Sequence, residues 1–225
     1  MTIIMGQYNG DNYQLTRFYE NEIPGYIFKA ILQLVKNENV IIRGGLSYVL
    51  LFERENYILK DIDLLALNGN VDKLVPYFYS ADIVYINKNT HGECVITAFW
   101  KNQDTYYKVD ILMNSQIEGE ETCFWRGNKC KTITKSFLWM DRMRKIAERK
   151  QRHHPKEKTL NHYLVAKYIC EYMLSTKYLL NPEHAKFISS KIKEVKNSLV
   201  DLVEGKELNA FLRLNDFIIN KSLGI

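Results

Sequence analysis

The spacing of apolar residues changes along the chain and predicts a helix followed by a strand near its start. Residues 24–37 (PGYIFKAILQLVKN) bring Ile27, Ile31, Leu32 and Val35 onto one side of a helix, and Pro24 suits its beginning. Residues 40–42 form a β-branched run of the kind found in strands.

A pair of glycines, Gly44-Gly45, separates that strand from a second helical segment. Apolar residues return at helical spacing over residues 46–53, and residues 59–67 (LKDIDLLAL) predict another strand. Alternate side chains of a strand share a face, so Asp61 and Asp63 point the same way. Two carboxylates in an otherwise apolar strand need a compensating partner, and cations are the obvious candidates.

Further strand-like runs follow a short helix predicted over residues 71–79. They cover residues 81–87, 93–100 and 105–113. In the last run Tyr106, Lys108 and Asp110 share one face, which makes Asp110 a third carboxylate in a β-rich segment.

From Ser136 onward the β-branched clusters give way to helical periodicity. The helical runs cover residues 136–152, 159–174, 184–203 and 207–220. Pro155 and Pro182 mark breaks between helices, because a residue before proline avoids the helical region. The sequence therefore predicts an α+β protein with a β-sheet part over residues 1–134 and a helical part over residues 135–225.

Composition sets the broad class of protein. The 225 residues are 46% hydrophobic, which is enough to bury the core of one domain or of two small ones. The first residues lack a basic region with an apolar run behind it, and no 18-residue window is uninterruptedly apolar, so we expect a cytoplasmic protein without a membrane span. Four scattered cysteines suit reduced thiols. A zinc site could use Cys123, Cys130, His153 and His154, but their spacing matches no standard zinc finger.

Charge is unevenly distributed along the chain. The formal net charge of +5 combines −5 over residues 1–128 with +8 over residues 129–158. Within the basic segment, four cations at helical spacing fall on one face: Arg142, Lys145, Arg149 and Arg152. Such a stripe could bind a triphosphate or an RNA backbone, or it could be a solvated helix surface. Lys145 is the predicted phosphate contact.

The glycine pair and the three aspartates together suggest chemistry at phosphorus. Without a Cβ, the turn at Gly44-Gly45 lets backbone N–H groups and a helix N-terminus approach a phosphate closely. Carboxylates from Asp61, Asp63 and Asp110 could hold two Mg²⁺ ions for an in-line displacement, with Asp110 assisting deprotonation of the attacking hydroxyl. The structural alternative is an electrostatic cluster in which Lys60, Lys108 or Arg43 neutralises the same carboxylates.

These residues resemble the signature of polymerase-beta-type nucleotidyltransferases. The resemblance covers about residues 25–115 and rests on three segments: Gly44-Gly45-Leu46-Ser47, Asp61-Ile62-Asp63-Leu64-Leu65 and Val109-Asp110-Ile111. The sequence of these segments looks most similar to the minimal AbiEii-like group of abortive-infection toxins. The group it resembles second most is that of the antibiotic-modifying nucleotidyltransferases.

The resemblance implies a fold, an activity and a set of roles. It implies a catalytic domain on a mixed sheet over residues 1–134 and a helical domain over residues 135–225. The activity would be Mg²⁺-dependent transfer of a nucleoside monophosphate from an NTP to an acceptor hydroxyl, with release of pyrophosphate. Asp61, Asp63 and Asp110 would bind the metals, and Gly44, Gly45 and Ser47 the nucleotide.

The acceptor and the partners stay open. A toxin-like enzyme would modify a tRNA or a protein side chain and could have an antitoxin partner, whereas an antibiotic-modifying enzyme would use a small hydroxylated molecule. The alternative from another class is a catalytically inert protein that binds nucleic acid or a partner on the same fold. His91 and His162 are predicted to be surface or partly buried residues, and Tyr106 is a candidate nucleobase contact.

Overall fold

The chain divides into two compact units, Met1–Thr134 and Lys135–Ile225. The computed structural model describes residues 1–6, 8, 10, 13–67, 70–87, 94–114 and 119–225. None of the helices in these ranges is both long and apolar enough to cross a bilayer.

An eight-stranded mixed sheet forms the first unit within the described ranges. Its strands are β1 (Thr2–Met5), β2 (Val40–Arg43), β3 (Ile62–Leu67), β4 (Ile83–Ile86), β5 (Cys94–Asn102), β6 (Thr105–Asn114), β7 (Glu120–Trp125) and β8 (Asn128–Ile133). They lie in the order β1-β4-β5-β6-β3-β2-β8-β7. Both parallel and antiparallel pairs occur, and the predicted α+β class with a mixed sheet is confirmed.

In the described ranges, three α-helices accompany this sheet: α1 (Gly25–Asn37), α2 (Gly44–Phe52) and α3 (Val71–Leu74). Helix α1 begins after Pro24 and buries Ile27, Ile31 and Val35, as its periodicity predicts. Leu34, which the predicted face did not include, is also buried, whereas the predicted Leu32 is only half-buried. These buried side chains belong to the same apolar core as Ile42 and Leu64 from the central strands. The burial of these apolar side chains provides the main driving force for folding of this unit.

The centre of the sheet brings together segments that are distant in sequence. Strand β3 is antiparallel to β2 and parallel to β6. In this register Asp63 lies opposite Arg43 on one side and opposite Asp110 on the other. The strand itself begins at Ile62, so Asp61 immediately precedes it.

Five helices build the second unit within the described part of the chain: α4 (Lys135–Ala147), α5 (Lys156–Thr176), α6 (Pro182–Ser189), α7 (Ile192–Leu199) and α8 (Gly205–Leu223). Helix α4 contacts α5, α6 and α7, and α8 contacts the same three helices. A buried polar network crosses this core: the Trp139 indole lies 3.1 Å from both Cys170 Sγ and Asn215 Oδ1. The network joins α4, α5 and α8.

Several features of the fold differ from the sequence-based prediction. Strand β3 begins at Ile62 instead of residue 59, and helix α3 ends at Leu74 instead of residue 79. Strand β1 and the β7–β8 hairpin were not predicted, although together they supply three of the eight strands in the described ranges. The helical run predicted over residues 184–203 is two helices, because α6 ends at Ser189 and α7 begins at Ile192. The Ser190 hydroxyl donates to the Phe187 carbonyl at this break, and such local bonds compete with the helix ladder.

Candidate active site

The glycine turn sits directly beside one of the predicted aspartates. Gly44 is the first residue of α2 and has φ +69°, a left-handed conformation that favours glycine. A Cβ added there would overlap the Asp63 carboxylate and lie 2.9 Å from its Cγ. At Gly45 an added Cβ would lie 2.9 Å from Leu59 Cδ2. Both glycines therefore allow a close approach of neighbouring side chains, Asp63 at Gly44 and Leu59 at Gly45. The approach of a phosphate to this turn stays a prediction.

The three predicted carboxylates converge. One oxygen from each of Asp61, Asp63 and Asp110 lies within 4.8 Å of the other two. Within the described ranges, this is the one group of three or more His, Cys, Asp or Glu side chains close enough to hold a metal ion, so the zinc alternative gains no support. Hard carboxylate oxygens in this arrangement suit Mg²⁺.

A lysine and a threonine contact the acidic cluster. The Lys108 ammonium lies 2.7 Å from Asp110 Oδ2 and 3.4 Å from Asp61 Oδ2. The Thr97 hydroxyl donates to Asp110 Oδ1 over 2.9 Å. Both oxygens of Asp110 are therefore engaged, one by a hydroxyl and one by a cation. Of the three cations proposed for the structural alternative, Lys108 is thus found in contact with the carboxylates.

Burial, and after it the closeness of the other carboxylates, raises the pKa of Asp61 and of Asp110. Burial, with a further contribution from Asp63, raises the pKa of Asp61 to about 6 although Lys108 opposes the shift. Burial also raises the pKa of Asp110, again against Lys108. Burial alone would lower the pKa of Lys108, but the charges of Asp110 and Asp61 outweigh it and raise that pKa above its ordinary value. The site thus carries concentrated negative charge that a cation stabilises.

Ser47 lies in the first turn of α2 and is completely buried. Its Oγ has no hydrogen-bond partner among the described residues. A buried hydroxyl without a partner costs free energy, so such a group often has a ligand or a water as its partner. The predicted role of Ser47 at the nucleotide stays a prediction.

The basic stripe on α4 and beyond is not one solvated face. Arg142 and Arg149 are buried, 5% and 8% exposed, whereas the Arg152 side chain is 58% exposed. Arg149 donates to the Ser198 carbonyl over 2.5 Å and pairs with Asp201. The interpretation of these two arginines as surface residues is therefore wrong: they pack inside the helical unit.

Lys145 keeps part of its side chain exposed, 21%, and its amine lies 2.8 Å from Asp141 in the same helix. Its role at phosphate stays a prediction. The neighbouring His162 is buried rather than at the surface, and its Nδ1 lies 3.3 Å from the Arg142 guanidinium. Since the guanidinium can only donate, Nδ1 is the acceptor and the imidazole is neutral. His91 lies outside the described residues.

Tyr106 shares the face of Asp110, as its spacing predicts, but its ring is engaged with other rings. The Tyr106 ring lies 5.0 Å from that of Tyr13 and 6.1 Å from that of Phe99. These are ordinary distances for aromatic packing. The contacts give Tyr106 a structural role, and its contact with a nucleobase stays a prediction.

Sequence reasoning missed Thr97 and underrated Lys108. The spacing of two residues already placed Lys108 on the face of Asp110, so the strand period could have identified it. Thr97 gave no such signal. It faces Asp110 through the β5–β6 register, which shifts between Cys94 and Ile96.

Solved structures of similar fold include a nucleotidyltransferase-like protein. The chain is similar to JHP933 from Helicobacter pylori, with a TM-score of 0.55 and 12% identity over 88% of this chain and 90% of that one. It is also similar to an antigenic nucleotidyltransferase-like protein from Paracoccidioides brasiliensis, with a TM-score of 0.56 and 15% identity over 88% and 95%. No protein-family model and no curated protein matches the sequence. At these identities the similarity shows the fold alone, a fold shared with a nucleotidyltransferase-like protein.

Proposed function

We propose that this chain is a Mg²⁺-dependent nucleotidyltransferase that moves a nucleoside monophosphate from an NTP to an acceptor hydroxyl. The observation that carries the proposal is the convergence of Asp61, Asp63 and Asp110 beside the turn at Gly44. The nucleotidyltransferase-like fold of the structural neighbours supports it. In the reaction the acceptor oxygen forms a bond to the α-phosphorus. The bond between the α-phosphorus and the oxygen that bridges to the β-phosphorus breaks, and pyrophosphate leaves.

Each part of the site has a role in this proposal. The backbone N–H groups at Gly44 and Gly45 and the Ser47 hydroxyl would hold the phosphates at the start of α2. Asp61, Asp63 and Asp110 would hold the metal, which would neutralise charge on the phosphates and on the attacking and leaving oxygens. Asp110 would also accept the proton of the acceptor hydroxyl, for which Thr97 orients it through one carboxylate oxygen.

Activity with each NTP tests the proposal. The full chain is incubated with α-labelled NTPs, Mg²⁺ and total RNA, and both pyrophosphate release and labelled acceptor are measured. The Asp61→Ala, Asp63→Ala double variant should lose at least about a hundredfold in rate. Asp104→Asn removes an exposed carboxylate at the β5–β6 turn and serves as the matched control. Absence of pyrophosphate release, together with absence of metal-dependent NTP binding, would contradict the proposal.

A catalytically inert binding protein is the second candidate. The ion pairs of Lys108 with Asp110 and Asp61 favour it, because they offset part of the negative charge of the cluster without any metal. This candidate predicts that RNA or a protein partner binds equally well with and without Mg²⁺ and NTP. It also predicts no labelled product in the assay above.

RNA is the acceptor class that we propose first, with tRNA as its simplest case. A sequence pI near 8.8 and the net charge of +8 over residues 129–158 favour a polyanion. Adding tRNA, purified protein or a small hydroxylated molecule separately to the labelled NTP distinguishes the acceptors. The AbiEii-like grouping and an antitoxin partner stay predictions. Co-purification of a second protein with the chain from its native host would test the partner.

A further inference from the structure

The Lys108 ammonium lies against the cluster of Asp61, Asp63 and Asp110, in a place where a bound cation would be expected. It contacts one oxygen of Asp110 at 2.7 Å and one of Asp61 at 3.4 Å, and both of these residues belong to the proposed metal site. Its side chain is only 14% exposed. The amine is therefore built into the cluster and is not a passing surface contact.

A metal ion and this ammonium compete for the same carboxylates. Asp110 Oδ1 accepts a hydrogen bond from the Thr97 hydroxyl, and Asp110 Oδ2 is paired with the Lys108 ammonium. Two cations within a few ångströms repel each other strongly in a partly buried site. The Lys108 ammonium would therefore have to leave at least one of its carboxylates before the same oxygens could bind a divalent ion.

The displaced amine stays close to the site. Its backbone is fixed in β6, two residues before Asp110, and the flexible four-carbon stem lets the ammonium move without unfolding the strand. A phosphate chain brought by the nucleotide would supply the nearest new negative charge. A lysine acts at phosphate as a mobile point charge, which this position allows.

From these contacts we infer that Lys108 is an exchangeable internal cation: it holds the carboxylates of the metal-free protein, yields them to the divalent ion, and then binds the phosphates of the NTP. The inference rests on the proposed function, because it requires that the three aspartates bind metal. It gives Lys108 two opposite effects, since the residue weakens metal binding when no nucleotide is present and strengthens binding of the metal-bound nucleotide.

Titration with Mn²⁺ alone, followed by the electron paramagnetic resonance of the free ion, tests the first effect on the full chain. Lys108→Met should bind Mn²⁺ at least about tenfold more tightly than the unaltered chain, which corresponds to one charge-assisted hydrogen bond. Lys101→Met removes an exposed lysine from the neighbouring strand β5 and should leave the affinity unchanged. Equal or weaker Mn²⁺ binding by Lys108→Met would overturn the inference.

A second variant covers the case in which Lys108→Met does not fold. Lys108→Gln keeps a hydrogen-bond donor toward Asp110 without the charge and should also bind Mn²⁺ more tightly. The melting temperature of either variant should rise more with Mn²⁺ than that of the unaltered chain. With nucleotide present, the KM for the metal-bound NTP should increase in both variants, and an unchanged KM would overturn the phosphate contact.

Asp63→Asn separates this inference from the proposed function. If the unaltered chain binds Mn²⁺, Asp63→Asn does not, and the Lys108 variants bind no more tightly, the metal site stands and the role of Lys108 is overturned. If none of the proteins binds Mn²⁺, the metal site fails and the inference fails with it. Binding only after Lys108 is replaced would support the competition directly.

Discussion

Gly44 combines two constraints at a single residue. Its φ of +69° would strain any side chain, and the position of a Cβ is already taken by the Asp63 carboxylate. Gly127, in the β7–β8 turn, has a similar φ of +75° but open space around its missing Cβ. Comparing the same substitution at the two glycines therefore distinguishes the cost of backbone strain from the cost of a steric clash.

Gly44→Ala should consequently be more harmful than Gly127→Ala. The left-handed conformation alone costs about 1–2 kcal/mol in a residue with a Cβ, and this is the expected effect of Gly127→Ala. Gly44→Ala should cost more and should also weaken Mn²⁺ binding, because Asp63 has to move. Urea unfolding and Mn²⁺ titration of both variants measure this. Equal losses of stability, with unchanged metal binding, would contradict the steric argument.

The buried His162 makes stability depend on pH. Burial, then the charge of Arg142, lowers its pKa to about 3, with Lys145 and Lys158 acting in the same direction and Asp141 against it. An unfolded histidine takes up a proton near pH 6.5, whereas the native one does so only near pH 3. The native state therefore loses stability as the pH falls between these values, by up to about 1.4 kcal/mol per pH unit.

His162→Gln should flatten that dependence. Its amide oxygen can still accept from Arg142, and it has no proton to take up. Urea unfolding at pH 7.5, 6 and 5 should show a smaller loss of stability for the variant than for the unaltered chain. His153→Gln replaces an exposed histidine and serves as the control. Identical slopes for His162→Gln and the unaltered chain would contradict the assignment.

At the scale of elements, periodicity succeeded where one side of a segment is buried and failed where local signals are weak. Helix α1 and strand β6 follow their patterns closely. The β7–β8 hairpin has a two-residue turn, Arg126-Gly127, with positive φ at both residues. Such turns usually carry Asn-Gly or Asp-Gly, so the sequence gives little sign of it. Strand β1 has four residues and borders one strand, too short for a period to show.

For the candidate site, the sequence pattern predicted which side chains share a face of one strand, but not which strands lie side by side. The strand period placed Asp61 with Asp63, and Lys108 with Asp110, but it says nothing about which strands are neighbours. The parallel register that sets Asp63 opposite Asp110 is a property of the whole sheet. The resemblance to nucleotidyltransferases, not periodicity, supplied that juxtaposition. The helical period likewise placed four cations on one face without showing that two of them are buried.

Arg149 connects the segment after α4 to the end of α7, so replacing it should lower the stability of the whole helical unit. Arg149→Ala removes the hydrogen bond from the guanidinium to the carbonyl of the buried Ser198. Its loss should lower the free energy of unfolding by about 2 kcal/mol. Arg152→Ala removes a cation whose side chain is 58% exposed, and the change should stay within about 0.5 kcal/mol. Chemical unfolding compares them, and similar small effects would argue against a structural role for Arg149.

On the scale of the whole molecule, the groups of the acidic cluster all come from one of the two units. Gly44, Asp61, Asp63, Thr97, Lys108 and Asp110 belong to Met1–Thr134, as does the complete sheet of the described ranges. The described core of that unit is built from its own residues, from Phe18 to Cys130. A chain of 134 residues can bury enough apolar surface to fold alone.

A fragment of residues 1–134 should therefore bind Mn²⁺ with the affinity of the full chain, within about twofold. The expectation follows because each carboxylate, and the lysine that competes with the ion, is retained together with the strands that hold it. Circular dichroism and cooperative urea unfolding establish that the fragment is folded, and Mn²⁺ titration then measures its affinity. A folded fragment with much weaker binding would contradict the assignment of the metal site to residues 1–134 alone.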